Sequence, residues 1–168
     1  LQALLGDSKK EIADCAAGFD ACRRAPVPVM VSLHATKALG VGEGGFIAST
    51  DAALIQRIRE TTSYGFRGTR ESQFPATNAK LSEYAAAVGM AALDAWPTTR
   101  LRYAAVARLL RMALTEAPQV RFQPGWGVGW VSSTCIVRLP DGSADRVEAH
   151  LNANGVDTRR WWGHGCHT

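Results

Sequence analysis

The 168-residue sequence contains no apolar run of the roughly eighteen residues that a membrane-spanning helix requires, so it reads as a soluble chain with no membrane partner. Its four cysteines, Cys15, Cys22, Cys135 and Cys166, form no C-x-x-C pair and follow no signal-peptide pattern. Reduced thiols and a cytoplasmic location are therefore expected. Lysine is scarce. There are 4 Lys against 15 Arg, the arginines are scattered apart from Arg23-Arg24 and Arg159-Arg160, and the net charge is only +4. No basic block marks a nucleic-acid surface, although arginine suits anionic ligands such as nucleotide diphosphates. His164-Gly165-Cys166-His167 lacks a fourth well-spaced ligand, so no metal is expected. No internal repeat or low-complexity tract appears, and 46% hydrophobic content is enough to bury the core of one domain.

What is present concentrates between Asp14 and Gly45. Val27 to Leu33 reads as an apolar strand that breaks into a turn at His34, placing Lys37 just beyond the strand and Ser32 five residues before it. Ile12-Ala13-Asp14 reads as a second strand end, opening into small residues. In an α/β sheet, ligand-binding groups gather outside the carboxyl ends of strands, so Asp14 and Lys37 can meet although 23 positions separate them. An amine, a carboxylate and a hydroxyl in that arrangement are what a pyridoxal phosphate site needs. The amine forms a Schiff base with the aldehyde, the acid keeps the pyridine nitrogen protonated, and donors hold the phosphate. Taken singly, Lys37 reads as a solvated charge, Asp14 as a turn residue and Ser32 as a strand hydroxyl.

Two competing motifs fail on context. Gly40, Gly42 and Gly45 satisfy G-x-G-x-x-G, but the run follows Lys37 rather than a strand and leads into Phe46-Ile47-Ala48, itself strand-like. A P-loop needs Lys followed by Ser or Thr after its last glycine, and neither follows Gly45. The glycines instead let the backbone turn sharply.

Thr50-Asp51 predicts a helix cap, with the helix over Ala52 to Glu60 and Leu54, Ile55 and Ile58 on its buried side. Tyr64 to Thr77 has little periodicity and reads as an irregular segment, in which Arg67 and Arg70 are solvated charges or anion contacts. Leu81, Ala85, Val88 and Ala92 predict a helix ending at Trp96-Pro97. A second helix from Thr99 to Leu114 carries the apolar stripe Leu101, Ala105, Leu109 and Met112, expected in the core. Beyond Pro118, strands are expected at Val120 to Phe122, Ser133 to Leu139 and Val156 to Trp162. A loop packed by Trp126 and Trp130 lies between the first two, and a helix capped by Ser143 spans Ser143 to Asn154.

The segment Ser32 to Gly45, SLHATKALGVGEGG, resembles the lysine motif of the DegT/DnrJ/StrS family of sugar aminotransferases. Ile12 to Ala17 resembles the family's acid-bearing segment, and Asn78 to Glu83 followed by Ala85 to Gly89 resembles its block before a long helix. The resemblance implies a fold-type I pyridoxal phosphate enzyme of the α/β class. Residues 1–97 would be the later part of its large cofactor domain and 98–168 part of its small α+β C-terminal domain. It implies Lys37 as the catalytic Schiff-base lysine, Asp14 as partner of the pyridinium, Ser32 as phosphate ligand, and Asn78 as a ligand to the cofactor phosphate of the neighbouring subunit in a homodimer. His34 and Glu43 would play supporting parts. The implied reaction moves an amino group from an amino-acid donor, glutamate by resemblance, to a keto group of a nucleotide-linked deoxy sugar. Ala17 departs from the His or Gln that many members carry there, and the interval from Asp14 to Lys37 is short for the family. Leu1 and the Trp161-Trp162-Gly163 end read as cut edges of a longer enzyme. A sugar dehydratase of this family would lack the lysine, and a truncated fragment that only dimerises or binds ligand is the reading from another class.

Overall fold

The computed structural model describes residues 11–160. Three strands form the sheet that carries the candidate residues: β1 (Ala13–Asp14), β2 (Val29–Ser32) and β3 (Gly45–Ala48). β1 runs parallel to β2, with Ala13 opposite Val29 and Asp14 opposite Met30. β3 returns antiparallel, setting Ser32 opposite Gly45. The parallel step is made by a short crossover through a 3-10 turn, Ala21–Arg24.

Helix α1 (Ala52–Thr61) begins where Asp51 Oδ1 accepts the Leu54 N–H at 3.0 Å, the predicted cap. Leu54, Ile55 and Ile58 are half-buried as expected, but the buried residue of the helix is Glu60. Its carboxylate takes Arg67 Nη2 at 2.8 Å and Gln56 Nε2 at 3.0 Å, and Arg57 and Arg67 both lie over the ring of Phe74. Arg67 is an exposed charge, as expected, but its guanidinium is engaged by Glu60 and so ties the irregular segment back to α1.

The Arg67 hydrogen bond, helped by Gln56, holds the Glu60 carboxyl below its ordinary value of 4.5. A carboxyl with a depressed folded-state pKa stabilises the fold fully above its unfolded value, and that contribution is lost as pH falls through the folded value. Glu60→Gln is expected to lower the melting temperature near neutral pH, and the gap from wild type should narrow below about pH 4. Melting curves of both proteins from neutrality into acid check this.

The largest difference from the sequence expectation is α2 (Glu83–Ala113), one continuous helix of 31 residues that runs through Pro97. Proline inside a helix costs about 3 kcal/mol. Here contacts on either side offset that cost. Trp96 is buried, its ring 5.0 Å from Phe19 edge-on, and Arg100 one turn later is clasped by Asp20. The stripe Leu101, Leu109 and Met112 faces outward, not into the core. The inward face carries Tyr103, Ala104 and Ala107, where a Cβ on Gly127 would stand 2.7 Å from the Ala107 Cβ. Only small residues permit that approach, so at this contact the helix packs by alanine rather than leucine.

The remaining elements are β4 (Arg121–Phe122), paired antiparallel with β5 (Val137–Arg138), and α3 (Ala144–Ala153). Trp126, in the loop that joins β4 to β5, is buried as expected, stacked on Phe122 at 5.3 Å and donating to Ser132 Oγ. Ser143 stands at the start of α3, but its hydroxyl donates to Pro140 O instead of capping the helix. Residues 156–160 form no strand, and Trp161, Trp162 and the 164–167 cluster lie outside the described residues. The central core gathers Leu33, Leu39, Trp96 and Val131, with Leu33 and Leu39 standing either side of Lys37.

Candidate active site

Alternation along β2 decides which side chains can face a ligand. Val29 and Val31 are buried on one face; Met30 and Ser32 point to the other. Because Asp14 is paired with Met30, it shares the face of Ser32. Two of the residues expected from sequence therefore stand on one side of the sheet, at the carboxyl ends of adjacent parallel strands.

Lys37 leaves from the same edge. Its loop is closed by Val41 N–H to Leu33 O at 2.9 Å and by Ala35 N–H to Gly42 O at 2.7 Å, and the Lys37 N–H itself donates to His34 O. With Leu33 and Leu39 both almost fully buried, the loop is anchored at two points and Lys37 sits half-buried between them. Ser133 Oγ donates to Thr36 O from the far part of the chain. Gly40 is required for this turn: a Cβ there would stand 2.5 Å from Ala35 O. Gly40→Ala is expected to cost about 1–3 kcal/mol as an overpacked backbone contact and to displace Lys37. Loss of Lys37 reactivity toward aldehydes with circular dichroism retained is the outcome to look for.

Each candidate is half engaged by its own backbone or neighbour. Asp14 Oδ1 accepts the Ala16 N–H at 2.9 Å, leaving Oδ2. Ser32 Oγ accepts the His34 N–H at 3.2 Å, leaving its O–H to donate. Asn78 Oδ1 accepts from Lys80 Nζ at 2.7 Å, leaving its NH₂. Asp14 and Ser32 share a sheet face and Lys37 follows five residues after Ser32, whereas no hydrogen bond among the described residues links Asn78 with any of the three; it belongs to a separate strap. His34 Nδ1 lies 2.9 Å from Thr36 Oγ1 and its Nε2 3.5 Å from Glu43 Oε1, which fixes the imidazole at the mouth of the lysine loop.

Sequence reasoning missed two features. Asp20, with its side chain almost wholly buried, takes Arg100 Nε at 2.9 Å and the Val131 N–H at 3.0 Å, joining the Asp14 loop to α2 and the Trp126 turn. Cys15 and Cys22, expected as free thiols, are bonded to each other. The turn Gly18 N–H to Cys15 O and Ala21 N–H to Gly18 O folds the segment back until the two Cα atoms are 6.1 Å apart, a closure that no C-x-x-C spacing announces. Cys135 remains an exposed free thiol. Among the described residues, no group of His, Cys, Asp and Glu could hold a metal ion, and no helix is long and apolar enough to cross a membrane.

The family model of the DegT/DnrJ/EryC1/StrS aminotransferases matches residues 16–168. The chain belongs to that family. Among curated members, the dTDP-3-amino-3,4,6-trideoxy-alpha-D-glucose transaminase of Streptomyces venezuelae is 31% identical over 137 residues, covering 76% of this chain and 34% of the relative. The solved structure of DesI in the presence of its TDP-sugar product superimposes with a TM-score of 0.68 at 33% identity, over 83% of this chain and 37% of that one. A Bacillus cereus protein described as a PLP-dependent aminotransferase gives a TM-score of 0.76 at 25% identity, over 94% of this chain and 45% of its own. This DegT/DnrJ/EryC1/StrS chain has the α/β architecture of PLP-dependent aminotransferases and spans about a third of the length of the curated relatives it matches.

Proposed function

We propose that the chain carries the lysine-bearing half-site of a pyridoxal 5'-phosphate-dependent sugar aminotransferase, working as a homodimer with nucleotide-linked deoxy sugars as amine acceptors and glutamate as donor. The observation that carries this reading is that Asp14 and Ser32 share a face at the carboxyl ends of adjacent parallel strands and Lys37 follows on the loop leaving that end; among the described residues Asp14 Oδ2 and the Ser32 O–H hydrogen have no partner. The donor set fits the group. It offers a carboxylate for a ring nitrogen, a hydroxyl donor for a phosphate and an amine for an aldehyde. The Asn78 amide adds two N–H donors for the phosphate of the neighbouring subunit. The apolar stripe Leu101, Leu109 and Met112, left outward on α2, supports a covering partner.

When bound, the cofactor supplies an aldehyde that captures amines and a ring that accepts an electron pair. Asp14 would hold the proton on the ring nitrogen, since a carboxylate beside it favours the charged ring. Ser32 and Asn78 orient the phosphate by donating to it. Lys37 Nζ would act as general base and then general acid, taking a proton from the substrate carbon and returning it elsewhere. Donor and acceptor take turns at one site, so ping-pong kinetics are expected. The proposed domain boundary lies near Pro97, with residues 1–97 belonging to the cofactor domain and 98–168 to the smaller one, α2 running across it.

The test is to incubate the protein with pyridoxal phosphate, reduce with borohydride and map the adduct by peptide mass spectrometry. The chain has four lysines, Lys9, Lys10, Lys37 and Lys80. Labelling confined to Lys37 supports the reading; labelling spread over all four, or none, overturns it.

A further inference from the structure

The strap between α1 and α2 is built to hold its far end still. Thr77 N–H donates to Thr61 O, Ala79 N–H to Thr62 O and Tyr64 N–H to Thr77 O, each at 3.0 Å, and Ser63 forms an antiparallel bridge with Asn78. Tyr64 adopts the left-handed conformation (φ 62°), uncommon for a side chain of its size. That backbone places its ring under the Lys80 ammonium, 4.6 Å from Nζ. The same ammonium donates to Asn78 Oδ1 at 2.7 Å.

A lysine ammonium has three donors and no acceptor, so it can engage an asparagine amide only through its oxygen. Whichever way the Asn78 amide would otherwise turn, Lys80 fixes the oxygen toward itself and the NH₂ away. The Tyr64 ring limits where the ammonium can go.

We propose that Lys80 is a positioning residue: it sets the Asn78 amide so that both N–H donors face an incoming phosphate, and it acts on that phosphate through Asn78 rather than by touching it. The inference rests on the pyridoxal phosphate reading given above.

The experiment is a double-mutant cycle read by affinity for pyridoxal phosphate, titrated by the cofactor's visible absorbance, on wild type, Asn78→Ala, Lys80→Met and Asn78→Ala/Lys80→Met, with Lys80→Arg as the conservative variant. A hydrogen bond to a charged group is commonly worth a factor of roughly 10 or more. Lys80→Met and Asn78→Ala are each expected to weaken binding by about tenfold. The double variant should be no weaker than about threefold beyond either single one. Lys80→Arg, whose guanidinium can also donate to Oδ1, should recover most of the loss while melting temperatures stay level across the set. Multiplying effects in the double variant would mean that Lys80 meets the phosphate directly, and would overturn the inference, as would an unchanged affinity in Lys80→Met. Wild-type protein that binds no pyridoxal phosphate would instead overturn the reading on which the inference stands, and the inference with it.

Discussion

Lys37→Met is expected to abolish the borohydride-trapped pyridoxal phosphate adduct and to slow amine transfer by roughly 10²–10⁴-fold, the range lost with a positioned general acid and base. The fold should survive the change. The loop around Lys37 is held by Leu33 and Leu39, by backbone hydrogen bonds from Lys37, Ala35 and Val41, and by Ser133 reaching Thr36, none of which uses the lysine side chain. A half-buried lysine with no side-chain partner among the described residues should change stability by no more than about 0.5 kcal/mol when replaced by an unbranched apolar residue. Lys37→Arg separates charge from chemistry. Its guanidinium keeps the positive charge near the phosphate, but it stays protonated and forms no Schiff base, so the adduct and the activity should both be lost although phosphate affinity persists. Retained activity in either variant, or an adduct that moves unchanged to Lys80, would remove Lys37 from its assigned role.

The lysine loop was legible in the sequence because most of what shapes it is local, Ser133 reaching Thr36 from far along the chain being the exception. An apolar strand, a Ser that turns the chain at His34, two leucines six positions apart and a glycine that must pack on Ala35 O all lie within Ser32 to Gly45. The cap of α1 at Asp51 was legible for the same reason. What was not legible depends on partners far along the chain. Pro97 predicts a helix end by its own sterics, yet α2 continues through it, with Trp96 packing on Phe19 and Arg100 meeting Asp20 on either side. The α2 stripe was assigned to the core because leucine usually goes inside, but the glycine-rich turn at Gly127 demands alanine opposite it, and the helix is rotated to suit. Glu60, buried and paired, was hidden behind a helix pattern in which a glutamate normally marks the solvent side. The Cys15–Cys22 bond was hidden by a seven-residue separation that signals nothing until the Gly18 turn forms.

Asp20→Ala is expected to lower stability by about 1–3 kcal/mol, the cost of leaving a buried backbone N–H without its acceptor, with a smaller addition from the lost Arg100 contact. Three parts of the chain meet at this carboxylate: its own turn beyond Cys15, α2 through Arg100, and the Trp126 turn through the Val131 N–H. Alanine there removes the acceptor for a buried backbone N–H, and an unsatisfied donor of that kind alone costs about 1–3 kcal/mol. Arg100 keeps a contact with Gly129 O at 3.2 Å and is partly exposed, so its charge can find water. Asp20→Asn preserves the shape and can still accept from Val131, so it should cost less than alanine, chiefly the charge-assisted part of the Arg100 contact. Chemical denaturation of the three proteins gives the order wild type, Asn, Ala. Because the Asp20 turn immediately follows Asp14 and Cys15, the Ala variant should also loosen the edge on which Asp14 and Ser32 stand. Weakened pyridoxal phosphate binding in Asp20→Ala at a temperature where the variant is still folded would tie that carboxylate to the geometry of the candidate site, and unchanged binding would confine it to stability.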